Sequence, residues 1–188
     1  MSDIKSKGMM KMKTYRFKDV WYLRKEKELL LENEHEQPIG VIKRTDIPGC
    51  ENTSSFSFTI DGNESTKMGI KKRGIINFLV ATYIIITQDK TLTFKDTVGN
   101  NLLYFSVDGE LNGQKIHVVE NWSEELEVKV NGSRIAIIKP NDLTFNTTIA
   151  IDDTIDESSV LFAITILMYF MYKIYKNESW LIENVLFD

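Results

Sequence analysis

The sequence predicts an all-β-dominated fold, a barrel or a sandwich, followed by one strongly hydrophobic C-terminal helix. Two observations lead to this prediction. About a dozen short strand patterns, separated by turn residues, follow one another between residues 12 and 151. Residues 160–172 then form an uncharged run that is long enough for a helix. With 188 residues the chain is long enough for one domain with a full core.

The strands are predicted from β-prone runs bounded by Gly, Asn and Asp. They occupy residues 15–20, 29–32, 39–44, 55–60, 67–72, 78–87, 91–96, 102–107, 115–119, 126–130, 133–138 and 143–151. Because the connections are short, we expect successive strands to pair as antiparallel hairpins.

The clearest hairpin surrounds Asn131-Gly132. This dipeptide favours the positive φ angles that a type I′ two-residue turn requires. The predicted cross-strand pairs are Val130–Ser133, Val128–Ile135 and Leu126–Ile137. One face of the hairpin is then apolar and buried, and the other, with Glu127 and Lys129, is exposed to water.

The apolar run at residues 160–172 has no polar stripe, so it needs a non-aqueous environment on every side. As a helix it spans roughly 20 Å, whereas a bilayer core of roughly 30 Å needs about 20 residues. A sleeve of protein is therefore the better prediction. The expected helix covers residues 156–177, with Asp156 and a Thr154–Glu157 capping box at its start and Lys173 and Lys176 near its end.

This arrangement of strands and helix resembles the tubby C-terminal-like superfamily, which includes the LURP-one-related proteins and the phospholipid scramblases. Residues 94–104, Phe-Lys-Asp-Thr-Val-Gly-Asn-Asn-Leu-Leu-Tyr, are similar to the family's Asp-x-x-Gly-Asn turn between two strands. Residues 156–172 correspond to its axial helix. The resemblance covers residues 14–177 in layout and transfers no site residues, because no headgroup- or calcium-binding motif of the family matches this chain.

The resemblance implies a closed antiparallel barrel of about 12 strands with the hydrophobic helix buried along its axis. Such a barrel is wider than the eight-stranded kind that side chains alone can fill, and a helix of about 10 Å diameter fits the space. We therefore expect a flexible basic tail at residues 1–13 and a single barrel domain at residues 14–188.

Composition limits the classes of function. The net charge of −4 and the pI near 5.3 argue against a general nucleic-acid binder. The single cysteine, Cys50, forms no internal disulfide, and no signal-peptide pattern opens the chain. The expected location is the cytoplasm, in solution or peripheral to a membrane.

No catalytic constellation is found, so we expect no enzyme and no cofactor. His35 falls in an acidic turn and His117 in a strand, and no motif ties either to Cys50 or to a serine. Cys50 lies in a predicted loop, where it is reactive only if a nearby positive charge lowers its pKa. These three residues are interpreted as structural.

Four carboxylates precede the helix, and they have two interpretations. They lie where a helix N-terminus favours negative charge, and their oxygens also suit a hard cation. The spacing is not that of an EF-hand, so capping is favoured over a metal site. The residues are Asp152, Asp153, Asp156 and Glu157.

The remaining candidate site is a basic group of four residues within seven positions: Lys67, Lys71, Lys72 and Arg73. Strand alternation places three of them on one face, where they would be solvated and, with the basic N-terminal arm, able to contact phosphate groups. The favoured alternative is a lysine-protected edge strand.

The leading functional hypothesis is a non-enzymatic cytoplasmic binding or scaffold domain whose partner is an anionic phospholipid or a protein. Two alternatives stay open. One is a membrane-associated, scramblase-like protein in which residues 158–175 span lipid. The other is a carrier whose barrel encloses a small apolar molecule.

Overall fold

A computed structural model describes residues 11–20, 23–60, 66–73, 80–97, 104–141 and 144–186, with side chains through residue 180. Twelve strands in these ranges close into one antiparallel barrel, and a single helix follows them, which confirms the predicted fold. The strands are β1 Met12–Lys18, β2 Glu28–Asn33, β3 Pro38–Arg44, β4 Cys50–Ile60, β5 Thr66–Lys71, β6 Thr82–Ile86, β7 Thr91–Asp96, β8 Ser106–Leu111, β9 Gln114–Glu120, β10 Leu126–Val130, β11 Ser133–Lys139 and β12 Asn146–Asp152, and helix α1 is Val160–Leu186.

Each strand pairs with its neighbours in the chain, and β1 closes the barrel on β12. Met12 lies opposite Asp152, and Lys18 lies opposite Asn146. The barrel therefore begins at Met12, two residues before the predicted boundary, because Met12 and Lys13 are needed to pair with the end of β12. Residues 1–10 of the predicted tail lie outside the described residues.

Helix α1 fills the barrel. Every side chain from Phe162 to Tyr172 is buried, on all sides of the helix. Aromatic rings of the barrel contact it at different heights: Tyr15 meets Phe162 at 5.1 Å between ring centroids, and Phe56 meets Phe170 at 4.8 Å. The sleeve predicted for the apolar run is thus the barrel, and the alternative in which residues 158–175 span lipid is wrong.

The helix differs from prediction at both ends. It begins at Val160, because Ser159 is the N-cap: its Oγ accepts a hydrogen bond from the Phe162 N–H at 3.1 Å. The predicted Thr154–Glu157 capping box is wrong, since Thr154 donates its N–H and hydroxyl to Asp152. At the other end the helix continues past residue 177 to Leu186.

The Asn131-Gly132 turn has the predicted geometry, but the register beyond it is shifted. Both residues have positive φ, 50° and 84°, as a type I′ turn requires. A β-bulge then inserts Ile135 as an extra residue. The observed pairs are Val130–Ser133, Lys129–Arg134, Val128–Ala136, Glu127–Ile137 and Leu126–Ile138, so the predicted pairs with Ile135 and Ile137 are wrong.

Several strand boundaries also move. Strand β8 lies about four residues later than the predicted strand 102–107, because a positive-φ turn at Asn112-Gly113 joins it directly to β9. Strand β6 begins at Thr82 rather than 78, and β12 begins at Asn146 rather than 143. The predicted Asp-x-x-Gly-Asn turn falls mostly outside the described residues, because residues 98–103 are not among them.

The two ends of the barrel are built differently. At the turn end, where the helix enters, strands are joined by short connections such as residues 34–37, 112–113 and 131–132. At the exit end, where the helix leaves, the connections are longer. The exit-end connections are residues 19–27, 45–49, 72–81, 97–105, 121–125 and 140–145, parts of which lie outside the described ranges.

Candidate functional site

The four grouped basic residues do not form one patch. Lys67 is half-buried near the turn-end start of β5, while Lys71 and Lys72 are exposed at the exit end. Four strand residues at about 3.3 Å each separate the Cα atoms of Lys67 and Lys71 by roughly 13 Å. Strand β5 pairs with β4 on one side and β6 on the other, so the alternative of a lysine-protected edge strand is wrong in this closed barrel.

Arg73 is held between two carboxylates, and its side chain is only 9% exposed. Its Nε donates to Glu51 Oε1 at 2.8 Å, and its Nη2 donates to Glu178 Oε1 at 2.6 Å. These hydrogen bonds, the one to Glu178 first, hold the pKa of the guanidinium above its ordinary value. The expectation that Arg73 is solvated is therefore wrong: it ties the start of β4 to the emerging helix.

A second ion pair joins the connection after β1 to the helix. Lys173 Nζ donates to Asp19 Oδ2 and to the Val20 carbonyl oxygen, each at 2.6 Å. The hydroxyl of Tyr169 donates to the same Asp19 carboxylate. Asp19 is buried, so its charge is compensated where water has little access.

A third group joins the β9–β10 connection to the helix. Glu120 Oε1 accepts hydrogen bonds from the Tyr172 hydroxyl at 2.8 Å and from Lys176 Nζ at 3.0 Å. Lys176 also contacts Glu124 at 3.3 Å. Burial raises the pKa of the Tyr172 phenol, and the hydrogen bond to Glu120 raises it further.

A cavity of about 300 Å³ opens between the second and third groups. Its walls include Asp19, Glu124, Phe145, Lys173 and Lys176. The barrel interior is occupied by the helix, so the carrier alternative has no lumen in which to enclose a molecule among the described residues. The open space lies at the exit end, beside charged groups and an aromatic side chain.

The exit end carries spare positive charge. Within the described part of the chain, its acidic side chains have a cationic or hydrogen-bonding partner, except Glu26. Six exposed basic side chains there have no acidic or hydrogen-bonding partner among the described residues. They are Lys18, Arg24, Lys27, Lys71, Lys72 and Lys95.

The turn end carries exposed charges of both signs. Its carboxylates Asp89 and Glu110 have no Lys or Arg partner among the described residues, while Asp156 interacts with Lys13. The exposed Lys11 and Lys115 side chains there likewise have no acidic partner among the described residues. A chain of net charge −4 therefore presents positive charge at one end of its barrel. This distribution of charge is not visible in the sequence, because the residues at each end of the barrel come from all parts of the chain.

Exposed apolar side chains also concentrate at the exit end. The described residues include five large hydrophobic side chains that are exposed, and four of them lie there. The fifth, Leu30, lies on the wall of the barrel in β2. The four at the exit end are Val80, Trp122, Phe145 and Trp180.

The histidines and the cysteine lie apart from this surface. His35 is exposed in the β2–β3 turn. His117 lies on the outer wall, with its Nδ1 2.7 Å from Asp108 Oδ1, a partner that the sequence did not indicate. Cys50 is the first residue of β4 and is buried, and this burial raises the pKa of its thiol, so it lacks the lowered pKa that a reactive thiol needs.

The four carboxylates before the helix make local hydrogen bonds. Asp152 accepts from Thr154, and Asp156 accepts from Ser158, which lowers the pKa of both carboxyls. Glu157 accepts the Tyr15 hydroxyl at 2.7 Å. Within the described ranges, no three His, Cys, Asp or Glu side chains are arranged to hold a metal ion.

Sequence reasoning missed the residues that define the exit end. Asp19, Glu51, Glu120 and Glu178 meet their cationic partners only through the closed barrel, and Arg73 lies 105 positions from Glu178. A tryptophan in a short polar connection, Trp122, was the one signal that the sequence offered.

No helix in the described ranges is both long and apolar enough to cross a membrane. Comparison with protein-family models, with characterised proteins and with solved structures finds no significant match to this chain. The resemblance to the tubby C-terminal-like superfamily therefore stays a prediction from the sequence.

Proposed function

We propose that this protein is a non-enzymatic binding domain that docks its exit end on the surface of an anionic phospholipid bilayer. The observation that supports this function best is that, among the described residues, six exposed basic side chains at that end have no partner, against one such acid, Glu26. Anionic lipids are concentrated on the cytoplasmic leaflet, so the proposal places the protein there.

The size of the effect fits reversible binding. A Lys or Arg near an anionic surface contributes about 1 kcal/mol. Six of them give at most about 6 kcal/mol, which corresponds to a dissociation constant between micromolar and millimolar. Lys71 and Lys72 are the members of the predicted basic group that fit this function, whereas Lys67 lies toward the other end and Arg73 is engaged in its ion pairs.

Vesicle sedimentation tests this function. Wild-type protein is mixed with phosphatidylcholine vesicles that contain phosphatidylserine, and with pure phosphatidylcholine vesicles as the neutral control. We expect binding only to the anionic vesicles, weakening as salt rises from about 50 to about 300 mM, because charge attraction is screened over about 10 Å or less in that range.

A pair of matched variants locates the surface. The Lys71→Gln/Lys72→Gln variant removes two exposed charges at the exit end, and Lys90→Gln/Lys115→Gln removes two exposed charges at the turn end. Only the first is expected to weaken binding, by roughly tenfold if each charge contributes about 0.7–1 kcal/mol. Equal losses in both variants, or no wild-type binding at low salt, would overturn the lipid proposal and leave a protein as the expected partner.

A further inference from the structure

We infer that Trp122, with Phe145 at the same end of the barrel, is an aromatic anchor that enters the boundary between headgroups and acyl chains when the exit end docks. This inference rests on the proposed function and adds to it a depth and an orientation: the barrel axis points into the bilayer surface. The anchor is separate from the basic side chains, which act at longer range.

Trp122 is completely exposed, with 104% of its reference surface accessible. Tryptophan and tyrosine are enriched at membrane–water interfaces, where an apolar ring with one polar N–H or O–H suits the headgroup level. Single exposed apolar residues need no explanation. Here four of the five exposed large hydrophobic side chains in the described residues lie at one end, and that end also carries the spare positive charge.

The connection that presents Trp122 is firmly built. The Asn121 side-chain oxygen accepts hydrogen bonds from the backbone N–H groups of Ser123 at 2.9 Å and Glu125 at 3.1 Å. The backbone N–H of Asn121 also donates to the Glu125 carbonyl at 2.9 Å. Lys176 of the helix holds the flanking Glu120 and Glu124. The backbone that carries the ring is therefore ordered, so little backbone ordering entropy is lost when the ring inserts.

Phe145 provides an independent indication. Its φ is 53°, a left-handed conformation that is unfavourable for a bulky residue. Its carbonyl accepts the Asp19 N–H at 2.6 Å, which fixes this conformation, and its side chain is 38% exposed. Backbone strain of this kind clusters at functional sites. Phe145 borders the same cavity as Ser123 and Glu124, so it lies close to the connection that carries Trp122.

The charges favour lipid over the other occupants of such a surface. Lys71, Lys72 and Arg24 are exposed without acidic partners among the described residues. A second copy of this chain, joined exit end to exit end, would oppose like charges. An anionic bilayer offers both negative charge and an apolar layer beneath it.

The test compares two truncations of exposed apolar side chains. Trp122→Ala removes the exit-end ring, and Leu30→Ala removes an apolar side chain of the barrel wall that is 48% exposed. We expect Trp122→Ala to weaken binding to phosphatidylserine-containing vesicles about fivefold to tenfold, as the loss of partial apolar burial implies. Leu30→Ala should bind like wild type, and both should melt at the wild-type temperature.

Fluorescence quenching measures the depth directly. Vesicles with brominated acyl chains should quench tryptophan emission of the bound wild-type protein, and Trp122→Phe should lose a large part of that quenching. The loss of affinity in Trp122→Ala should also persist at about 300 mM salt, because apolar transfer is not screened.

The experiments distinguish an error in the Trp122 anchor from an error in the proposed lipid binding. If wild-type protein binds the anionic vesicles but Trp122→Ala binds equally well, or bromine quenches Trp122→Phe as strongly as wild type, the anchor is overturned and headgroup docking stands. If wild-type protein binds no vesicle at low salt, both are overturned.

Discussion

The connections between strands are held in different ways at the two ends of this barrel. The turn end closes by backbone geometry, with tight connections whose left-handed positions include Asn112, Gly113, Asn131 and Gly132. The exit end fastens its connections to the helix with ion pairs and tyrosine hydrogen bonds. The cavity of about 300 Å³ and four of the five exposed large hydrophobic side chains among the described residues lie at the exit end.

This difference is the basis for proposing that the exit end binds the partner. The ion pairs that hold the helix bring five carboxylates to Arg73, Lys173 and Lys176. The six exposed basic side chains that give the exit end its positive charge lie outside these groups and have no acidic partner among the described residues. The positive surface therefore depends on side chains other than those that hold the helix.

The largest effect is expected from a charge placed between the two ends. Ile166 is fully buried in the middle of the helix, with no solvated direction for a carboxylate. Ile166→Asp should cost more than about 4 kcal/mol and abolish folding, because an unpaired buried charge has no compensation. Circular dichroism on heating checks this, with Asn177→Asp on the exposed face of the same helix as control. Cooperative unfolding near the wild-type temperature would show that the helix is not held inside the barrel.

Breaking one exit-end fastening should have the next largest effect. Arg73→Ala leaves Glu51 and Glu178 facing each other without their cation. Removing one partner of a fully buried pair costs about 3–5 kcal/mol, and the partial exposure of both carboxylates lowers the expected cost to about 2–3 kcal/mol. Urea denaturation measures it. The free energy of unfolding of the neighbouring Lys72→Ala variant should stay within about 0.5 kcal/mol of wild type. If the two variants lose the same stability, the Arg73 ion pairs do not hold the helix to the barrel.

At the turn end the sensitive feature is the backbone. Gly132 has a φ of 84°, which a β-branched residue resists. Gly132→Val should destabilise the protein by about 1–2 kcal/mol, while Gly132→Asn, which tolerates left-handed backbone, should cost less. A denaturation midpoint that is the same for both variants would contradict closure by backbone geometry.

The smallest effect concerns pH at the exit end. Burial first, then the hydrogen bond to Glu120, raises the pKa of Tyr172, so the folded protein keeps a proton that the unfolded chain loses above about pH 10. This contribution is complete below pH 10 and is lost as the pH rises further. Tyr172→Phe should cost about 1 kcal/mol at neutral pH but lose less stability between about pH 9 and 11 than wild type. If the stability of wild type and of Tyr172→Phe changes in parallel with pH, the pKa of Tyr172 is not raised in the folded protein.

The sequence was sufficient for the parts of the fold that depend on local pattern. The uncharged run at residues 160–172 identified a helix that is buried all round, and Asn131-Gly132 identified its turn. The bulge at Ile135 was not predictable, because either register buries apolar side chains. Strand β8 was placed about four residues early because Asn112-Gly113 was not used as the turn that ends it.

The candidate site was less predictable, for a physical reason. A run of basic residues in sequence says which side chains are near in the chain but not which are neutralised in space. Lys71 and Lys72 are exposed, yet Arg73 beside them is engaged by Glu178 from the far end of the chain. The spare charge at the exit end exists only after all such long-range pairs are formed.

Backbone hydrogen exchange of the full chain, with and without phosphatidylserine-containing vesicles, tests most directly whether the exit end is the binding end. We expect slower exchange with vesicles in the connections at residues 23–27, 121–125 and 144–145, and unchanged exchange in the turns at 34–37, 112–113 and 131–132. Protection at the turn end, or equal protection at both ends, would contradict the assignment of binding to the exit end.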